Sequence, residues 1–448
     1  MLDLLEFDDT VFKDRIDIST LDHSSKFYQL WSLWKEYIDF QLVGNKHLKL
    51  IGFFNLIGII LTHKGYGFAK DDLKVPPRLH WFMFQRSRSG KGQLMKAKHK
   101  LLDFCGIPTR YTTKDNEPSA MGTCSKNEKT GKVDIRRGYC SFIYDYNWDE
   151  GGIILRTGKR NGDVTDDMTD MLQAAMDDPG FISKGMAWDS IGYKTDVTLT
   201  MGSYMTSSFS SVLMRKGLFQ RMIITFKEFD EQEKQTMRTQ VPLLKLRYNP
   251  QRILRIKQLF KEIIDSIPNA KDTENKGVLK HNKVDMTDFV KFYDDVYYNI
   301  LSSRFMGRTQ EILESFGDTV FLIVDKIALQ KAVIEGRTEI IKEDMQVALP
   351  VVKLHIGSLL DLFNYIDPEK RSSNDIRERE IYNIVKEKNR SSHIPVTRTI
   401  VMLELDKKRN LNEWDLGKNN SLKLINDLIK KGLIQTELRD GIHSLKVA

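Results

Sequence analysis

Cysteine is scarce in this chain of 448 residues: there are three, Cys105, Cys124 and Cys140, and no two form a C-x-x-C pair. That argues against a disulfide-framed fold and a cysteine-based zinc site, and it points to a reducing, cytoplasmic setting. No apolar run reaches the roughly 20 residues that a membrane-spanning helix needs. The most apolar stretch, 50–61, is short and contains Asn55. Where a secretory leader would carry basic residues, the chain opens with Asp3, Glu6, Asp8 and Asp9. Internal repeats and low-complexity tracts are missing as well. Nor does one charge dominate: 69 Lys and Arg face 61 Asp and Glu, a net +8 that permits nucleic-acid binding without demanding it.

What is present is a strand-like run, a turn of small residues and a helix start: Trp81-Phe-Met-Phe-Gln-Arg-Ser-Arg-Ser-Gly-Lys-Gly-Gln-Leu-Met95. This is the layout of a P-loop, whose backbone N–H groups cradle phosphates while a lysine neutralises them. The candidate nucleotide contacts are Ser87, Ser89, Gly90, Lys91, Gly92 and Gln93. Against G-x-x-x-x-G-K-[ST], two positions depart: Gln85 replaces the first glycine, and Gly92 replaces the hydroxyl that binds Mg²⁺. The implied cofactors are ATP and Mg²⁺.

Around this motif, short apolar runs at 79–84, 139–144, 197–201 and 222–226 alternate with helical stretches. Such alternation predicts an α/β fold with a parallel sheet and helices on its faces. Helices are expected at 25–40 and 46–61, ahead of the first strand. From 249 to 365 the pattern is helical throughout, with segments at 253–267, 286–305, 309–335 and 342–363. A charged linker at 367–374 leads to a small C-terminal domain. The expected organisation is an N-terminal helical extension (1–40), an ATPase core (41–245), a helical lid (246–366) and a terminal domain (374–448).

A nucleotide hydrolase needs carboxylates at the end of a neighbouring strand, to hold Mg²⁺ and to orient water. The segment 139–150 offers two registers. Asp145 directly follows the apolar run, and Asp149 with Glu150 forms an adjacent pair, so either aspartate could hold the metal. A third strand ends in Gly202-Ser203-Tyr204, where Ser203 could sense the γ-phosphate. Arg221, at the entrance to a fourth strand, could act as a finger in a neighbouring subunit's site.

The order of these parts resembles the minichromosome-maintenance (MCM) branch of the AAA+ ATPases, in its divergent mobile-element and viral form. The likeness rests on Lys91-Gly-Gln-Leu-Met-Lys96, on Tyr111-Thr-Thr113 followed by Ser119-Ala-Met-Gly122, and on Arg137-Gly138 before the acids. It rests also on Met171-Leu-Gln-Ala-Ala-Met176 followed by Gly180-Phe-Ile-Ser-Lys-Gly-Met186, on the Arg221 segment, and on Gly44-Asn-Lys-His-Leu-Lys49. It spans about 40–230, with a looser helical match to 365. The resemblance implies an ATP-dependent DNA helicase working as a homo-oligomeric ring, a hexamer. Lys184 would lie on a first pore hairpin and Lys194 near a second. Arg304 or Arg308 would come from the lid. A primase or initiator would be a separate partner.

The C-terminal domain reads as a winged helix. Helices are expected at 375–388, 396–408 and 421–431, the last N-capped by Asn420 or Ser421, followed by a hairpin turning at Asp440-Gly441. From Asp367 onward, 17 Lys and Arg stand against 13 Asp and Glu. Lys418, Lys423, Lys430, Lys431 and Arg439 are the groups that would meet DNA phosphates. Two other readings stay open: an AAA+ scaffold or loader that binds DNA and nucleotide without unwinding, and a regulator whose ATPase is a switch.

Overall fold

In a computed structural model, the described residues are 24–447 apart from 86–88, 114–118, 127–129, 150–171, 186–189, 204–216, 291–313, 367–372, 392–394, 410–417, 431–433 and isolated positions between. The chain divides into two compact units, Met1–Val290 with Asp318–Ile366, and Lys291–Gly317 with Asp367–Ala448.

The first unit opens with α1 (Lys26–Asp39), whose buried residues Phe27, Leu30, Trp34, Tyr37 and Ile38 share one face at helical spacing. Ser25 caps it by accepting the Tyr28 N–H at 3.1 Å. The next helix, α2 (Lys46–His63), is buried almost all round, from Leu48 to Thr62. A helix without a polar face belongs at the centre of a core. Phe27 and Trp31 of α1 pack edge-on against Phe53 of α2.

Beside these helices lies a five-stranded sheet, parallel throughout. It is built from β3 (Trp81–Gln85), β4 (Thr109–Thr112), β7 (Asp145–Asp149), β10 (Thr198–Ser203) and β11 (Ile223–Lys227), in the order β11-β3-β10-β7-β4. Every residue of β3 and of β10 is buried, as a parallel strand covered on both faces must be. Helix α3 (Lys91–Phe104) leaves β3 and leads to β4 at one edge, whereas the chain leaving β10 goes to β11 at the other. The gap between the carboxyl ends of β3 and β10 is therefore a topological switch point, where α/β sheets bind ligands.

Three antiparallel hairpins accompany the sheet: β1 (Gly67–Lys70) with β2 (Leu73–Val75), β5 (Gly122–Lys126) with β6 (Val133–Arg137), and β8 (Gly180–Gly185) with β9 (Ser190–Thr195). Further on come α4 (Glu231–Arg247), α5 (Pro250–Asp265), α6 (Gly317–Ile334), α7 (Lys342–Gln346) and α8 (Leu349–Ile366). Helix α5 packs on α1, and α8 packs on β11. His355 of α8 accepts the Ile224 N–H at 2.9 Å, supplying a partner to the edge strand. Burial lowers the His355 pKa to about 4, which keeps that imidazole neutral and able to accept. Contrary to the expectation that no run is long enough, the window 342–362 has the length and composition to cross a membrane, yet 61% of it is buried inside the molecule, as in a core helix.

Three expectations are corrected. The run 139–144 is not a strand: Tyr139–Ser141 is a 3-10 turn, and the strand begins at Asp145. An apolar run alone does not identify a strand, and here the strand itself carries polar residues satisfied from other elements. The stretch 249–365 is not helical throughout, because β12 (Val278–His281) and β13 (Glu339–Ile340) join β1 and β2 in a second sheet, ordered β13-β12-β1-β2. Strands of four and two residues have no period to read; β1 supplies the edge that makes them strands. Finally, 342–363 is two helices, broken at Val347-Ala348 ahead of Pro350, a residue tolerated in a helix's first turn but not within it.

The second unit holds α9 (Ser373–Ser391), α10 (Arg398–Arg409), α11 (Lys418–Lys430) and the hairpin β14 (Ile434–Arg439) and β15 (Ile442–Val447). Ile381, Val385, Val401, Ile425, Ile434 and Leu445 form its core. Gly441 has φ +75°, the left-handed conformation a tight hairpin turn requires. Helix α11 starts at Lys418, so Asn420 and Ser421 lie inside it and are not its N-cap.

Candidate functional site

Strand β3 ends at Gln85 and α3 begins at Lys91, with Gly90 as N-cap at φ +95°. That positive φ favours glycine, and a Cβ at Gly90 would also push on the tip of the Leu42 side chain. Lys91 is 8% exposed, and its Nζ donates to Gln85 O at 2.6 Å. Burial pulls the Lys91 pKa down to about 8, while the Asp149 carboxylate opposes that shift. Ser89 is buried. Its carbonyl accepts from Asn45 Nδ2 at 3.2 Å, and the same amide donates to Gln85 Oε1 at 2.9 Å. Gln85 thus ties the loop to the start of α2. Ser87 lies outside the described residues.

Asp149 stands at the carboxyl end of β7, in register with Gly202 of β10. Tyr111 of β4 donates its hydroxyl to Asp149 Oδ2 at 3.0 Å. A Cβ at Gly92 would lie 2.4 Å from that same oxygen. A Cβ at Gly202 would lie 3.5 Å from Asp149 Oδ1 and 3.5 Å from Lys91 Cδ. Buried Ser203 closes the group, paired in register with Phe84. The carboxyl ends of four strands thus bring Lys91, Gly92, Asp149, Tyr111, Gly202 and Ser203 together. Gln93 is exposed on the first turn of α3.

The structure does not bring Asp145 into this group. It lies at the amino end of β7, fully buried, paired with Lys98 at 3.0 Å. Lys98 also donates to Asn55 Oδ1 at 2.5 Å and Thr200 Oγ1 at 2.7 Å, and Asn147 donates to Asp145 Oδ2 at 2.5 Å. Every part of that network comes from the protein's own core. Of the two registers left open by the sequence, Asp149 alone is beside the loop.

Arg221 precedes β11, whose first residue pairs with Trp81 at the amino end of β3. It is therefore about 13 Å or more down the sheet from the Lys91 end. Its Nε pairs with Asp177 Oδ1 at 2.6 Å and its Nη1 donates to Gly217 O at 2.9 Å. Lys184 and Lys194 fall on one hairpin rather than two: Lys184 pairs with Ile191, and Lys194 with Phe181. Lys194 is exposed; the side chain of Lys184 lies outside the described residues. Lys423 and Lys430 are exposed on α11. Glu150, Tyr204, Arg304, Arg308 and Lys431, and the side chains of Lys418 and Arg439, lie outside the described residues.

Among the described residues no group of three or more His, Cys, Asp or Glu could hold a metal by itself. Asp149 fits the weaker demand of Mg²⁺, which takes one or two carboxylates and completes its shell from phosphate and water. A lysine, a helix N-terminus and three glycine positions fit a polyphosphate chain. The roles of Tyr111 and Gln85 were not legible in the sequence: Tyr111 stood out only within a motif, and Gln85 only as a departure. No protein-family model matches this chain, and no curated protein matches it.

Proposed function

We propose that the protein is an ATP-hydrolysing AAA+ ring motor of the MCM-like type that translocates on DNA. The observation carrying this reading is the convergence of Lys91, Asp149 and Ser203 at the sheet's switch point, with Arg221 at the opposite end. Lys91 holds the β- and γ-phosphates. Asp149 holds Mg²⁺, which when bound supplies charge neutralisation for the phosphates. Glu150 orients the attacking water, and Ser203 senses the γ-phosphate. Arg221 is too far from its own chain's Lys91 to serve that site, so it serves the next subunit's, and a hexameric ring meets this requirement. Lys184 and Lys194 move a strand through the ring, and Arg308 completes the nucleotide site from the lid. The C-terminal three helices and hairpin act as a winged helix, gripping duplex through Lys418, Lys423, Lys430 and Arg439. The setting is cytoplasmic, with a primase or initiator as a separate partner.

The test is ATPase activity with Mg²⁺, with and without DNA. Turnover stimulated by DNA and abolished by Lys91→Ala supports the motor. Absence of turnover at any DNA concentration removes it. A second reading, an AAA+ scaffold or loader that binds nucleotide without turnover, is favoured by the missing hydroxyl at Gly92. Nucleotide binding without hydrolysis would select it.

A further inference from the structure

Gly92 is the position at which the loop departs most from a working P-loop, and the geometry there gives that departure a reason. The Cβ direction of Gly92 points at Asp149 Oδ2, 2.4 Å away, closer than real Cβ atoms come to any neighbour. What holds the carboxylate in that position is Tyr111, whose hydroxyl donates to Oδ2 at 3.0 Å. The tyrosine is itself positioned from two directions. Its backbone pairs with Asn147, two residues before Asp149 on the same face of β7, and Lys96 of α3 lies 5.4 Å from its ring centre.

From this arrangement we infer that Gly92 is required and that Tyr111 is a positioning residue. The Asp149 carboxylate occupies the space a serine or threonine side chain would take, and Tyr111 fixes it there, so the Tyr111–Asp149 pair does the work of the missing hydroxyl. The inference rests on the nucleotide reading above. It has a consequence for binding. A carboxylate set against the first turn of α3 repels a triphosphate unless a divalent cation lies between them. Nucleotide binding should then depend strongly on Mg²⁺.

Calorimetric titration with ATP, with and without Mg²⁺, tests this on the full chain, alongside thermal melts of each variant. The wild type should bind Mg·ATP and bind metal-free ATP poorly. Tyr111→Phe should lower Mg·ATP affinity about 10- to 100-fold, the usual cost of losing a residue that orients a metal ligand. It should leave metal-free binding unchanged, which a merely structural role would not do. Gly92→Ser, which restores the consensus hydroxyl at that position, should weaken Mg·ATP binding rather than improve it. Wild-type affinity in Tyr111→Phe, or tighter binding in Gly92→Ser, overturns the inference while the nucleotide reading stands. A wild type that binds no nucleotide in either condition overturns both. Tyr111→Phe removes one oxygen only, so the test survives if Gly92→Ser fails to fold.

Discussion

Helix α3 and strand β7 meet twice through a lysine and an aspartate, and the two meetings have opposite characters. Lys91 and Lys98 are seven residues apart on the helix, two turns along one face. Asp145 and Asp149 are four apart on the strand, again on one face. At the amino end, Lys98 and Asp145 are fully buried, and Asn55, Thr200 and Asn147 close around them. At the carboxyl end, Lys91 and Asp149 keep some exposure, and glycines at 90, 92 and 202 leave space around them. The same two residue types thus make a core clamp where the protein supplies every partner and, in the proposed function, a ligand site where it leaves room.

Substitutions at either lysine–aspartate pair should separate the two ends. The largest effect is expected at the sealed pair. Lys98→Ala leaves a buried carboxylate without its counter-charge and should cost about 3–5 kcal/mol in denaturant unfolding. Asp145→Ala should be similarly damaging, and the double variant should cost less than the sum of the two, because each single change strands one charge.

At the open pair the expected outcome is reversed. Lys91→Met should change stability by about 1 kcal/mol or less while removing nucleotide binding, since a partly desolvated lysine contributes little to folding. Equal destabilisation by Lys91→Met and Lys98→Ala would erase the distinction between the two ends.

The pH dependence of Lys91 sharpens the same point. Its folded pKa of about 8 lies below the ordinary 10.5. Between those values the unfolded chain binds more protons, so this group makes stability rise with pH across that window and contributes no slope below it. In the proposed function, nucleotide needs the protonated form. Affinity for ATP should therefore fall as pH rises through about 8, read by titration in buffers from pH 7 to about 10. Flat affinity over that range would show that Lys91 does not meet the phosphates. The smallest effect belongs to the Arg221–Asp177 pair, which is half-exposed. Asp177→Ala should alter stability by about 0.2–1 kcal/mol, measured by thermal melting.

Much of the fold could be read from the chain. The helix at Lys26–Asp39 has one apolar stripe, and the strand at Trp81–Gln85 is apolar at four of five positions. The elements of the C-terminal unit follow in the expected order, and Gly441 takes the left-handed conformation of the hairpin turn expected there. Harder cases were those in which partners distant in sequence decide. Strand β7 reads Asp-Tyr-Asn-Trp-Asp and is a core strand only because Lys98 and Thr200 reach it. The apolar run before it attracts the strand assignment for the wrong residues.

Local residues alone dictate that a lysine stands at a glycine turn between a buried strand and a helix, because backbone sterics and apolar burial act over a few residues. They also dictate that carboxylates cluster after residue 144. Which carboxylate meets that lysine was decided only by tertiary structure. Register along β7 depends on hydrogen bonds to β4 and β10, and on a buried lysine seven residues beyond the loop. The same packing decided that residue 92 should be glycine, since the atom that excludes a side chain there belongs to a residue 57 positions away.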